Sequence, residues 1–345
     1  MIKNYFLITM LIFSLDIAGC WQKQHHDITR PGVPRYTLSG YLTDMDSTDY
    51  FLKEDTIVLK PLLLLYDGQN ASLTTTTDST GFYSIDSVIP GNYDIQFIRD
   101  GYLVSVRKYS MKIGDEIRDY ALPKPLLNQV RLHLNYLSGN PRLSWKDHSF
   151  SIFTQYINDK GLPLDKIYTC RFNRINDQLS VESQMDNPMG NASYYFHFDK
   201  YFYLGTQWKL KRYQTDTLNE LEEIPLADPV SGLTRVNNAF WSVYQTKLQY
   251  RGADASSVER EYPIPTGILK NLTFDGETFW TCNPIENLLF KVSQQGQVLG
   301  TYHPVDRSNP MLYLQPYDID FSLNNNQLWM TDAEKKIVYS FPVPN

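Results

Sequence analysis

Cysteine is nearly missing from this chain: three of 345 residues, Cys20, Cys170 and Cys282, with no CxxC or metal-ligand spacing among them. That excludes a small disulfide-built scaffold and a cysteine-ligated zinc module. Positive charge is also short, with 32 Lys and Arg against 38 Asp and Glu for a net charge of -6. A nucleic-acid partner is excluded with it, because phosphate binding needs a basic footprint. Long hydrophobic runs are absent too. The longest, Tyr5 to Leu15, is about eleven residues where a spanning helix needs ~20. No GxSxG elbow, HExxH pair, P-loop or GxGxxG turn occurs, so the common hydrolase, zinc-peptidase and nucleotide signatures are missing. What the chain has in excess is aromatic side chains, at 14%, including 25 tyrosines. Such residues suit a pleated, half-buried surface, and the expected fold class is all-β.

The first twenty residues read as an address. Lys3 precedes the apolar run, which has the length of a signal-peptide core. Ile17-Ala18-Gly19-Cys20 follows and resembles the bacterial lipobox, with Asp16 a mild departure from the usual pattern. The resemblance implies removal of residues 1–19 and lipid, palmitate included, on Cys20. It places the chain in the bacterial cell envelope, held on a membrane, the outer membrane first among candidates. Residues 20–35 are polar, contain Pro31, Gly32 and Pro34, and read as a tether. Cys170 and Cys282 are either a disulfide or two buried free thiols.

Residues 36–123 read as a small β-sandwich. Asp78-Ser79-Thr80-Gly81 is a turn between strands, and Ile89-Pro90-Gly91-Asn92 is another. Tyr93, Ile95 and Phe97 alternate onto one face. With Leu38-Ser39-Gly40-Tyr41-Leu42 and Gly101-Tyr102, these pieces resemble the carboxypeptidase regulatory-like family, a transthyretin-like sandwich used as an accessory module; some members resemble carbohydrate-binding folds. No peptidase domain accompanies it. Pro61 marks the run from Thr56 as an edge or broken strand, and Pro123-Lys124-Pro125 reads as a linker.

Residues 129–345 read as a repeat. Leu272 to Thr281 is strand, Asp-Gly turn and strand; Ile319 to Asp332 and Leu233 to Ser242 copy it, with Trp280, Trp329 and Trp241 in register. Looser copies begin at Leu143 and Tyr195. Five units average about 43 residues, close to the ~40–50 of a propeller blade. This half resembles β-propellers of the NHL and glutamine-cyclotransferase-like kind, and the strand at Gln129 to Tyr136 is available to close the ring. The alternative partition is a fibronectin type III-like domain over residues 126–218 followed by partial propeller repeats.

In a propeller, function is expected where loops converge at one end of the channel. The loop after the Trp strand supplies Asn283, Glu286 and Asp332. The connection from His303 to Tyr317 supplies His303, Asp306, Arg307 and Tyr313. The leading expectation is a non-catalytic binding or scaffold module for a glycan, a peptide or another envelope protein, with no cofactor. The alternative is a propeller hydrolase or lyase with a carboxylate site, and Ca²⁺, at the channel mouth. The aromatic run Tyr194 to Tyr203 suits either sugar stacking or burial in a blade.

Overall fold

The structure is a computed structural model. It describes residues 33–62, 71–133, 140–146, 149–155, 166–173, 178–186, 188–189, 192–215, 217, 219–323, 326–332 and 337–344. Cys20, the signal segment and most of the tether lie outside the described residues. All described regular elements are strands, arranged in seven sheets.

Two sheets build the sandwich. In one, β1 (Tyr36–Asp44) lies between β2 (Ser47–Phe51) and β5 (Phe82–Val88). The other runs β4 (Leu73–Thr76), β3 (Thr56–Pro61), β6 (Gly91–Arg99), β7 (Tyr102–Met111). Two short strands, β8 (Glu116–Ile117) and β9 (Tyr120–Leu122), run parallel to β1. Period-2 alternation on β6 turns Tyr93, Ile95 and Phe97 into a core shared with Leu38, Leu42, Ile57 and Tyr83. The Asp78 turn is held by its own carboxylate, whose Oδ1 accepts the N–H groups of Thr80 at 2.7 Å and Phe82 at 3.0 Å. Gly81 closes the turn at φ +76°, and a Cβ there would meet Phe51 and the Leu42 carbonyl within 2.9 Å. β3 is an interior strand between β4 and β6, not an edge; Pro61 is tolerated because it is the strand's last residue.

The other five sheets form a ring of blades. The first blade is β12 (Asn140–Lys146), β13 (Ser149–Gln155), β14 (Lys166–Asn173) and β15 (Gln178–Asp186). The second is β16 (Tyr194–Phe198), β17 (Tyr201–Thr206), β18 (Lys209–Gln214) and β19 (Glu220–Pro225). The third is β20 (Gly232–Val236), β21 (Ala239–Tyr244), β22 (Lys247–Gly252) and β23 (Arg260–Pro263). The fourth is β24 (Lys270–Phe274), β25 (Phe279–Asn283), β26 (Leu288–Val292) and β27 (Val298–Asp306), with β28 (Asn309–Tyr313) folded back on β27. The fifth is β29 (Pro316–Ser322), β30 (Gln327–Asp332) and β31 (Ile337–Pro342), completed by β11 (Val130–His133) antiparallel to β31. The opening strands pack in a closed circuit, β12 to β16 to β20 to β24 to β29 and back to β12. This is a five-bladed β-propeller sealed by a strand from the start of the repeat, and the fibronectin-like partition is overturned by the two four-stranded sheets of the first two blades.

Trp241, Trp280 and Trp329 sit on the second strands of the last three blades and are buried. The aromatic run of the second blade is core: Tyr194, Tyr195, Phe196, Phe202 and Tyr203 are all buried. Cys170 and Cys282 are buried and are not joined in a disulfide.

Two expectations are corrected here. Lys124 to Leu127 is no linker but a strand, β10, added in parallel to the outer edge of β27. His303 to Tyr317 is no open loop, since its ends of chain are taken up by β27, β28 and the start of β29. β10 and the packing of β7 on β27 and β28 tie the sandwich to the fourth blade. Arg99 reinforces the junction by donating to the Leu122 and Pro123 carbonyls and pairing with Asp44 at 2.9 Å.

Candidate functional site

The turn after β25 and the connection from β27 to β29 lie at the same end of the ring, because successive antiparallel strands alternate direction. Asn283 ends β25 and builds the turn. Its Oδ1 accepts the N–H groups of Ile285 at 3.0 Å and Glu286 at 3.2 Å, and its Nδ2 donates to Glu286 Oε2 at 3.3 Å. This is a side-chain-closed turn, which is why Asn is placed there. Glu286 is exposed and lines a cleft of about 430 Å³ with Thr266 and Thr301 of the propeller and Met45 and Asp46 of the sandwich.

His303 is fully buried on β27. Its Nδ1 lies 3.0 Å from the Asn287 carbonyl and therefore carries the proton, and its ring stacks on Tyr313 with centroids 4.6 Å apart. Burial pushes the imidazole down to about 4, against the opposing effect of the hydrogen bond it donates to the Asn287 carbonyl, so it is neutral at pH 7. Asp306 pairs with Arg131 at 3.0 Å and accepts from Ser308 N at 2.9 Å, capping the turn into β28. Arg307 donates its backbone N–H to Asn128 Oδ1 at 2.6 Å and leaves its side chain in solvent. Asp332 is buried and accepts the Gln315 N–H at 3.0 Å.

Six of the seven residues thus fall into local arrangements, Asn283 with Glu286, His303 with Tyr313, Asp306 with Arg131, and Asp332 with Gln315, and Arg307 stands apart from them. Among the described residues, no three His, Cys, Asp or Glu side chains converge as a metal site. A second cleft at this end, of about 510 Å³, is walled by Tyr313, Tyr317, Gln315, Asn287, Ile285 and Lys270. Of these, the sequence reading found Tyr313 alone. The signal for the others is conformational: Asn271 and Asn287 stand at φ +55° and +59°, and Asn271 Nδ2 donates to the Tyr317 carbonyl at 2.7 Å, fixing the cleft wall.

A different side chain proves architectural. Asp275, in the first turn of the fourth blade, accepts the Trp280 indole N–H at 2.9 Å through Oδ2. It also accepts the N–H groups of Glu277 at 3.0 Å and Thr278 at 2.6 Å and the Thr278 hydroxyl at 2.7 Å. Although burial acts to raise its carboxyl, these donors hold it below the ordinary value.

No protein-family profile matches the chain. No curated protein matches it either. Among solved structures, glutaminyl cyclase of Myxococcus xanthus is similar over 64% of this chain and 97% of that one, at 10% identity and a TM-score of 0.49. BamB of Moraxella catarrhalis is similar over 88% and 85%, at 10% identity and a TM-score of 0.33. The Pan2 WD40 domain of Neurospora crassa is similar over 62% and 92%, at 11% identity and a TM-score of 0.36. The propeller itself rests on the closed circuit of opening strands described above.

Proposed function

We propose that the chain is a bacterial envelope lipoprotein, anchored through lipid on Cys20, whose propeller binds a glycan, a peptide or another envelope protein without turning it over. The observation that carries this reading is how the polar groups at the loop end are used. Asn283, Asp306 and Asp332 each hold a turn or a neighbouring backbone amide, and His303 is buried and neutral. A general acid or base must reach a substrate proton, and these groups are spent on the fold. What faces outward at the same end is a contact surface: a cleft with Tyr313, Tyr317, Gln315 and Lys270, beside an Ile285 that is 71% exposed. The sandwich then stands between tether and propeller, held to the fourth blade by β10.

A photo-crosslinking side chain placed at Ile285 in living cells tests this. The expected result is a discrete adduct in the membrane fraction that weakens in a Cys20→Ala variant. No adduct, with the protein recovered from the soluble fraction, overturns the reading.

A further inference from the structure

The third and fourth blades carry the same first hairpin with one difference in chemistry. Pairing Arg235 with Phe240 in one and Phe274 with Phe279 in the other puts the two turns in register. Trp241 then matches Trp280, Val236 matches Asp275, and Ala239 matches Thr278. In the fourth blade Asp275 clamps the indole N–H, and Thr278 holds that carboxylate by donating its hydroxyl to it. In the third blade both members are replaced by small or apolar side chains that can neither donate nor accept. Trp241 accordingly has no hydrogen-bond acceptor for its indole N–H among the described residues.

Where the clamp is missing, there is a cleft. It measures about 520 Å³, within the ~300–1,000 Å³ range of small-molecule sites. Val236 and Ala239 line it, so the positions that carry the clamp in the fourth blade border open space here. Its floor is aromatic: Trp241, Tyr250 and Phe274. The floor is rigid, because Trp241 meets Tyr250 edge-on at 5.0 Å and Phe279 at 4.9 Å, and Phe279 in turn holds Phe274 at 5.0 Å. Asn237, Asn238 and Gln294 stand at the rim, exposed. Each of these primary amides offers two N–H donors and a carbonyl acceptor. No side chain lining the cleft carries a formal charge. Arg260, which does not line the cleft, lies over the Tyr250 ring, its guanidinium 4.6 Å from the ring centre.

The geometry points to a binding site for a neutral saccharide between the third and fourth blades. A pyranose has one flat C–H face and a ring of hydroxyls that both donate and accept. The face packs on the aromatic floor. The hydroxyls meet the rim amides and the unpaired indole N–H. An anionic ligand finds no cation among the lining side chains, and a purely apolar one leaves the rim amides unmatched. The inference rests on reading the propeller as a binding module and names the ligand class for one of its surfaces. It uses the hairpin end of the blades, opposite the Ile285 cleft, so failure here leaves the crosslinking result standing.

The test is titration of the full chain, in a non-glycosidic detergent, with neutral glucose, galactose, mannose and N-acetylglucosamine oligosaccharides, read by tryptophan fluorescence and calorimetry. Saturable binding of at least one is expected. Asn238→Ala and Gln294→Ala, both at exposed positions, should each weaken it about tenfold. The double variant Val236→Asp, Ala239→Thr rebuilds the clamp of the fourth blade; it should unfold no earlier than wild type and lose binding. The inference is overturned if no oligosaccharide binds, if the rebuilt clamp leaves binding unchanged, or if a proline-rich peptide or an anionic sugar binds the cleft in place of the neutral ones.

Discussion

Asp318 Oδ2 accepts the backbone N–H of Leu143 at 2.6 Å, joining the fifth blade to the first across 175 residues of sequence. The other seams of the ring carry a polar bond as well. His197 N donates to Ser144 Oγ at 2.8 Å, Arg235 Nη1 to the Tyr203 hydroxyl at 2.9 Å, Ser231 Oγ to the Leu269 carbonyl at 2.8 Å, and Thr273 Oγ1 to Asp320 at 2.7 Å. Hydrophobic packing between blades tolerates sliding, while a short directed bond fixes height and register. The ring is therefore specified by these contacts as well as by its apolar filling.

Replacing Asp318 with Ala leaves the buried Leu143 amide without that acceptor. A buried N–H stripped of its partner costs about 1–3 kcal/mol. Urea unfolding of Asp318→Ala should show that loss with an unchanged slope. A change below a few tenths of a kcal/mol would mean the seam bond does not stabilise the ring.

Asp275 gives an acid-side prediction. Its folded carboxyl titrates below the ordinary value of 3.8, so it stabilises the protein fully above that value and the contribution is lost as pH falls through the lower folded value. An Asp275→Asn variant should be less stable than wild type at pH 7, and the gap should narrow in the most acidic range. Unfolding followed between pH 2 and 7, a window on the order of five units around the carboxylate range, checks it.

Asp55 behaves in the opposite sense. Burial raises its carboxyl to about 7, Arg99 opposing and Asp100 adding to the shift, and its Oδ2 has no hydrogen-bond partner among the described residues. The folded chain keeps a proton there that the unfolded chain releases near 3.8. Stability from this group is thus greatest in acid and falls as pH rises to about 7, at roughly 1.4 kcal/mol per unit. Asp55→Asn should remove that slope and make the protein more stable than wild type at alkaline pH, with little difference near the acid end. Equal stability at both ends would contradict the assignment.

The register of the repeat was legible in the sequence because Trp241, Trp280 and Trp329 recur at one strand position, and burial at that position permits little else. The strand at Val130 was legible as a closing piece because the last unit was one strand short. Lys124 to Leu127 was not legible as a strand. Its partner, β27, begins at Val298, and parallel pairing at such separation leaves no local pattern, least of all around a proline. The polar residues of the loop end were found by position, but their roles were not. Asn283, Asp306 and Asp332 read alike as candidate ligands until their hydrogen bonds show each one capping backbone. Conversely, Val236 and Ala239 look unremarkable in the chain. They acquire meaning once Asp275, held by Thr278, is seen gripping the corresponding indole.

The most direct test of the envelope assignment is the intact mass and N-terminal peptide of the protein extracted from cells. The expected product is a chain that begins at Cys20, carries diacylglycerol on its sulfur and an acyl group on its amino terminus, and partitions with membranes. A chain recovered without lipid, or beginning at a residue other than Cys20, would contradict it.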